Sequence, residues 1–252
     1  MVGADPATNR GALITTWIIP VKIILSDGST WDPLSGGPFS PLARTALSPI
    51  FDTSTTYIEG GIDVGTTQYI DAYQRANFWS IVQNNQDSHL LLGGPTRGIE
   101  TLPSLTLNVP AQYGHQGQEY AHTVALIDLN YLDEQLTSYL AANQTINPMG
   151  FPIFETANTY LTVNGSCCTG GYHSAVGQQT YAHFTYITYP GIFAEDVSAL
   201  SHEVGEWLGD PLVDGYNSTP CGGYLEIGDP LTGSDYPYVL HNFTYHLQTS
   251  YS

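Results

Sequence analysis

The fifteen residues "VSALSHEVGEWLGDP", Val197 to Pro211, set the tightest limit on what this chain can fold into. Val197, Leu200, Val204, Trp207 and Leu208 recur at helical spacing and make one apolar face. Gly209 and Pro211 end the helix behind it. Such a face has to lie on something, and most of the remaining chain reads as strand. "LITTWIIPVKIIL", residues 13–25, is a strand interrupted at Pro20. "ETLPSLTLNVP", "HTVALIDL", "FPIFETANTYLTV" and "TYAHFTYITYP" are rich in β-branched and aromatic residues. Helical stripes occur at 64–83 and in "NYLDEQLTSYLAAN", while the Pro/Gly/Ser-rich segment 32–49 is a loop. Only 11% of residues are charged, and the polarity comes from Thr, Ser, Asn, Gln, Gly and 18 tyrosines, a composition that favours strands and turns. The expectation is one α+β domain over residues 1–252, a mixed sheet carrying one motif-bearing helix.

Charge excludes some partners. The formal net charge is −18, with five Lys plus Arg, so nucleic acid is repelled and no basic stripe exists to hold it. The apolar run at 13–25 is short, contains Pro20 and Lys22, and is no membrane span. An acidic, lysine-poor chain is expected to be a soluble, secreted protein. Of three cysteines, Cys167 and Cys168 are adjacent and Cys221 is distant. No CxxC metal pattern is present. A bridge from the pair to Cys221 is the favoured pairing in an oxidising compartment, with a vicinal Cys167–Cys168 bond as the alternative.

The polar side of the 197–211 helix carries the chemistry. His202 and Glu206 are four apart and face the same way, with Glu203 beside them. Two ligands one turn apart with an adjacent carboxylate suit a metal ion and a base that takes a proton from water. A catalytic ion needs a third protein ligand. Glu226 is favoured and Asp229 is its rival, both in "LEIGDP"; Asp210 is expected to cap the helix or support the site. Zinc is the expected ion. One imidazole with two carboxylates leaves calcium or manganese as alternatives, because oxygen-rich sites suit harder ions. His173, in "GGYHSA", is a candidate oxyanion donor or ligand. His183 reads as a packed strand residue. Tyr172, Tyr181 and Tyr186 either line a cleft or pack.

"HEVGE" on a helix resembles the zincin metallopeptidases in their HExxE form. "CCTGGYHSAVGQQTYAHFTYI", "SHEVGEWLGDP", "LEIGDP" and the earlier "VGTTQYIDAYQRANFW" are similar to a group of largely uncharacterised secreted bacterial proteins. The resemblance implies a zincin-like core with ligands at His202 and Glu206 and Glu203 as general base. It also implies that the strand before the helix, Thr180 to Tyr189, binds substrate backbone. The expected activity is metal-dependent hydrolysis of a peptide or protein substrate. The alternative is a non-catalytic binding or surface protein on the same scaffold, with a structural metal or none.

Overall fold

The computed structural model describes residues 2–94, 98–191, 195–213 and 228–248. The chain begins with β1 (Ala12–Leu25), β2 (Thr30–Trp31), α1 (Pro41–Ala46), β3 (Thr55–Glu59) and β4 (Ile62–Thr67). Helices α2 (Tyr69–Asn77) and α3 (Trp79–Val82) lead to three short strands, β5 (Leu90–Gly93), β6 (Glu100–Thr101) and β7 (Leu105–Val109). A hairpin, β8 (Gly114–Glu119) and β9 (His122–Asp128), feeds α4 (Leu129–Ala142). Five strands follow: β10 (Gly150–Ala157), β11 (Thr159–Val163), β12 (Ser166–Thr169), β13 (Gly171–Val176) and β14 (Gln179–Tyr186). Then come α5 (Ser198–Gly209) and a hairpin of β15 (Asp235–Leu240) and β16 (Phe243–Gln248).

Strand accounts for 42% and helix for 23%. There is an eight-stranded sheet, a four-stranded sheet and two separate hairpins. This β-dominated arrangement overturns the expected α+β, zincin-like fold, whose hallmark is a long active-site helix; here the motif helix has 12 residues. Part of the difference lies at 64–83, expected to be one helix. Residues 62–67 are instead β4, paired with β3, and the helical remainder is split between α2 and α3. The β-branched Thr66 and Thr67 sit in that strand, where their stiff side chains are favoured. Segment 32–49, expected to be loop, holds α1, capped by the Ser40 hydroxyl.

β1 organises the large sheet. It pairs in parallel with β10 along one edge, Thr15 opposite Gly150 through Pro20 opposite Glu155. Along the other it meets β5, β6 and β7 in turn. The expected interruption at Pro20 does not occur. Ile18 accepts the Leu102 N–H, so alternate residues, Pro20 among them, face the β6–β7 edge. That edge is broken between Thr101 and Leu105, opposite Pro20, so the missing proline N–H has no ladder bond to lose. The Ser104 hydroxyl caps the Pro20 carbonyl there. The sheet continues from β10 to β14 and ends at the antiparallel strand β13.

Alternation along the strands gives the sheet two apolar faces. Trp17, Ile19, Val21 and Ile23 pack with Leu132, Leu136 and Leu140 of α4 on one side. Phe151, Ile153, Ala182 and Phe184 pack with Leu200, Val204, Trp207 and Leu208 of α5 on the other. The Trp207 ring stacks on Phe151 at 3.9 Å between centroids, and its indole N–H donates to the Thr180 hydroxyl. Among the described residues, no helix is long and apolar enough to cross a membrane. The sulfurs of Cys167 and Cys168 lie in close contact with each other, the arrangement of the vicinal alternative. Cys221 lies outside the described residues.

Glu155 on β10 is fully buried, and neither carboxylate oxygen has a hydrogen-bond partner among the described residues. Burial pushes its carboxyl well above the ordinary value of about 4.5. Below the unfolded value the group is protonated in both states and costs nothing. As pH rises past it, the unfolded chain ionises while the folded chain keeps its proton. Stability therefore falls by about 1.4 kcal/mol per pH unit until the folded group also ionises. The Glu155→Gln variant, with no proton to lose, is expected to be more stable than the parent at pH 7.5 and close to it at pH 4. Urea unfolding at both pH values checks this; equal pH slopes in the two proteins would clear Glu155 of the effect.

Candidate metal centre

The polar side of α5 is as buried as the apolar side. His202 is 6% exposed, Glu203 3% and Glu206 3%. β13 covers the helix on one flank, where Gly171 permits close approach: a Cβ there would lie 2.8 Å from Glu203 Oε1. Gly228 and Asp229 cover another flank, and β16 brings in Gln248. These elements leave a cleft of about 330 Å³ lined by Gly171, Tyr172, His173, His202, Glu203, Glu206 and Asp229, among others.

His202 and Glu206 are each held from behind. His202 Nδ1 donates to Gln248 Oε1 at 2.6 Å, and the Gln248 amide N–H₂ donates to the Gly228 carbonyl, which fixes which way that amide points. The Gln248 backbone N–H donates to the Ser201 hydroxyl. His202 Nε2 is thereby aimed at Glu206 Oε1, 3.3 Å away, and Asp229 Oδ1, 3.6 Å away. The backbone N–H groups of Gly228 and Asp229 both donate to Glu206 Oε1, which fixes that carboxylate. Burial works against charge on the His202 ring, but Glu206 and Glu203 outweigh it and push its pKa up to about 9.

His173 lies in β13 rather than in a turn, and is buried. Its Nε2–H donates to the Asp210 carbonyl at 3.1 Å. That N–H is therefore engaged elsewhere than at an oxyanion, and Nδ1 points to Glu203 Oε2 at 3.7 Å and Glu206 Oε2 at 3.8 Å. Burial raises the Glu203 pKa, with His173 opposing it. Burial and then Glu206 raise that of Asp229.

His202, Glu206 and Asp229 can present donor atoms all within 4.8 Å of one another, and so can His173, Glu203 and Glu206. The first spacing tests well against a metal. Tetrahedral zinc with bonds of about 2.0–2.1 Å needs donors about 3.3–3.4 Å apart, and the His202 contacts of 3.3 and 3.6 Å come close to that. The outer nitrogen of His202 is also tied to an oxygen acceptor, as metal-bound histidines require.

Five of the six expected site residues, His173, His202, Glu203, Glu206 and Asp229, meet in this cleft. The sixth, Glu226, lies outside the described residues. Asp210 ends α5 as expected, but acts through its carbonyl. The strand expected to hold substrate, Thr180 to Tyr189, is interior: β14 is paired on both sides, and β13 is the edge. His183 packs as expected, fully buried with its pKa pushed down to about 3 by burial. Tyr172 lines the cleft, whereas Tyr181 and Tyr186 pack in the interior. Sequence reasoning did not find Gln248. It comes from a strand 46 residues beyond His202 and carries no motif signal. A second groove, of about 480 Å³, is lined by Tyr57, Tyr69, Tyr73, Tyr236 and Tyr238. It adjoins the centre: Tyr69 donates to the Gln248 carbonyl, and Tyr73 feels the Glu206 charge.

No family model, curated protein or solved structure matches this chain.

Proposed function

We propose that this protein is a metal-dependent hydrolase acting on peptide bonds. The observation that carries the reading is the set of His202 Nε2, Glu206 Oε1 and Asp229 Oδ1, spaced for one ion and oriented by Gln248, Gly228 and Asp229 backbone groups. A divalent ion there, zinc or in its place manganese or calcium, supplies Lewis acidity that activates water and polarises a carbonyl. Glu203 follows His202 directly and lines the same cleft, placed to take the proton from the attacking water and return it to the leaving amine. His173 faces Glu203 from β13, its Nδ1 3.7 Å from Glu203 Oε2.

Support for an extended peptide comes from β13. Among the described residues it ends the sheet and borders the cleft, so a substrate strand can lie along it. The neighbouring tyrosine groove suits an apolar or aromatic substrate side chain. The test is cleavage of a mixed peptide library from pH 4 to 8, before and after chelation, with zinc, manganese or calcium restored. Cleavage is expected to vanish with chelation and return with one of the ions. No cleavage under any of these conditions would overturn the reading.

A further inference from the structure

We infer that Glu206 is shared by two cation sites: the outer set with His202 and Asp229, and an inner set with His173 and Glu203. The two oxygens of Glu206 point to different places. Oε1 faces His202 Nε2 at 3.3 Å, whereas Oε2 faces His173 Nδ1 at 3.8 Å. Glu203 Oε2 completes the inner set, 3.7 Å from the same nitrogen. Among the described residues, no set of donor atoms mutually within 4.8 Å contains both histidines, so one ion does not serve both.

The inner set has the same supporting architecture as the outer. His202 has its far nitrogen tied to Gln248 Oε1, and His173 has its far nitrogen tied to the Asp210 carbonyl. With the outer nitrogen donating, a neutral ring presents its lone pair inward, toward the carboxylates. Structural histidines need no such arrangement twice over around one shared carboxylate.

Charge points the same way. Three carboxylates and two imidazoles share the cleft, and four of these five residues are buried. No Lys or Arg lines the cleft among the described residues. With both rings protonated and all three carboxylates ionised, the cluster still carries one net negative charge. Buried charge of this kind is compensated by pairing or by metal. The inner spacings exceed the roughly 3.4 Å tetrahedral zinc edge, so this set fits zinc after closing slightly, or manganese with its longer bonds. A carboxylate that binds an ion cannot also accept a proton from water. The inner ion therefore takes Glu203 out of the proposed hydrolysis, and is inhibitory.

The inference rests on the proposed reading for the outer set only, and its test reads stoichiometry rather than activity. Zinc retained per chain after gel filtration is measured for the parent, His173→Ala, Asp229→Ala and Glu206→Ala proteins. Two ions are expected in the parent, one in each of the first two variants, and none in the third. One ion in the parent, unchanged by His173→Ala, would overturn the inner site and leave the outer intact. None in the parent would overturn both. Should His173→Ala not fold, the parent loaded with manganese decides. Two ions bridged by one carboxylate give an exchange-coupled electron paramagnetic resonance spectrum. The six-line signal of isolated ions alone would overturn the proposal.

Discussion

Replacing Trp207 with alanine is expected to cost the fold about 3–5 kcal/mol, the range for removing a large aromatic side chain from a packed interior. Trp207 is 2% exposed, and its ring lies flat on Phe151 of β10. No small residue can fill that space from a sheet and a helix held on both sides. The truncation also strands the Thr180 hydroxyl, which accepts the indole N–H in a buried setting. Trp207→Phe keeps most of the stacking area and loses the hydrogen bond, so its cost should be nearer 1 kcal/mol. Denaturant unfolding of the three proteins measures both steps. A loss under 1 kcal/mol for the alanine variant would mean that α5 is not anchored through this ring. Because Trp207 directly follows Glu206, the same variant should weaken metal retention even though it touches no donor atom.

Glu203→Gln should keep the fold and the ion of the outer set yet lose peptide hydrolysis by a factor of about a hundred or more. The amide has the size of the carboxylate and fits beneath Gly171, where the approach to Glu203 is already close. It cannot accept a proton at working pH. The outer ligand set does not include residue 203, so zinc at that set should be unaffected. Rates on a cleaved peptide, taken with zinc content, check the expectation. Hydrolysis that survives the substitution would remove Glu203 from the chemistry, and hydrolysis lost together with outer-site metal would make it a ligand instead.

Those elements with strong local signals were legible in the sequence. The periodic apolar residues of α4 and α5 fall where the helices form, and the Gly209–Pro211 stop ends α5. Most strand-rich segments are strands. The His202/Glu206 pair follows from helical geometry alone, and Asp229 was within reach as a rival ligand. Sheet order was not legible, because β1 finds its partners through contacts that no local pattern encodes. Pro20 shows this well: by itself it argues for a break, and only the gap between β6 and β7 opposite it removes the cost. The burial of the polar face of α5 was not legible for a related reason. Polar spacing marks a side that avoids the apolar core, and here polar groups from β13 and β16 and the Gly228–Asp229 backbone meet it in place of water. The role of His173 depended on the direction of one ring nitrogen, which the Asp210 carbonyl decides.

The pairing of β1 bears on how the chain comes to be folded at all. It leaves the ribosome before its partners: one edge waits for β5 to β7 and the other for β10, with Thr15 meeting Gly150. Parallel pairing across such spans is slow to close, since loop entropy is lost before any contact rewards it. Until β10 is made, a long apolar strand has an unsatisfied edge and two greasy faces. During synthesis the nascent chain is thus a natural client for holding chaperones, and its hazard is aggregation through β1 rather than through the finished surface. The scarcity of lysine and arginine leaves few basic gatekeepers near that strand, Lys22 being the one within it.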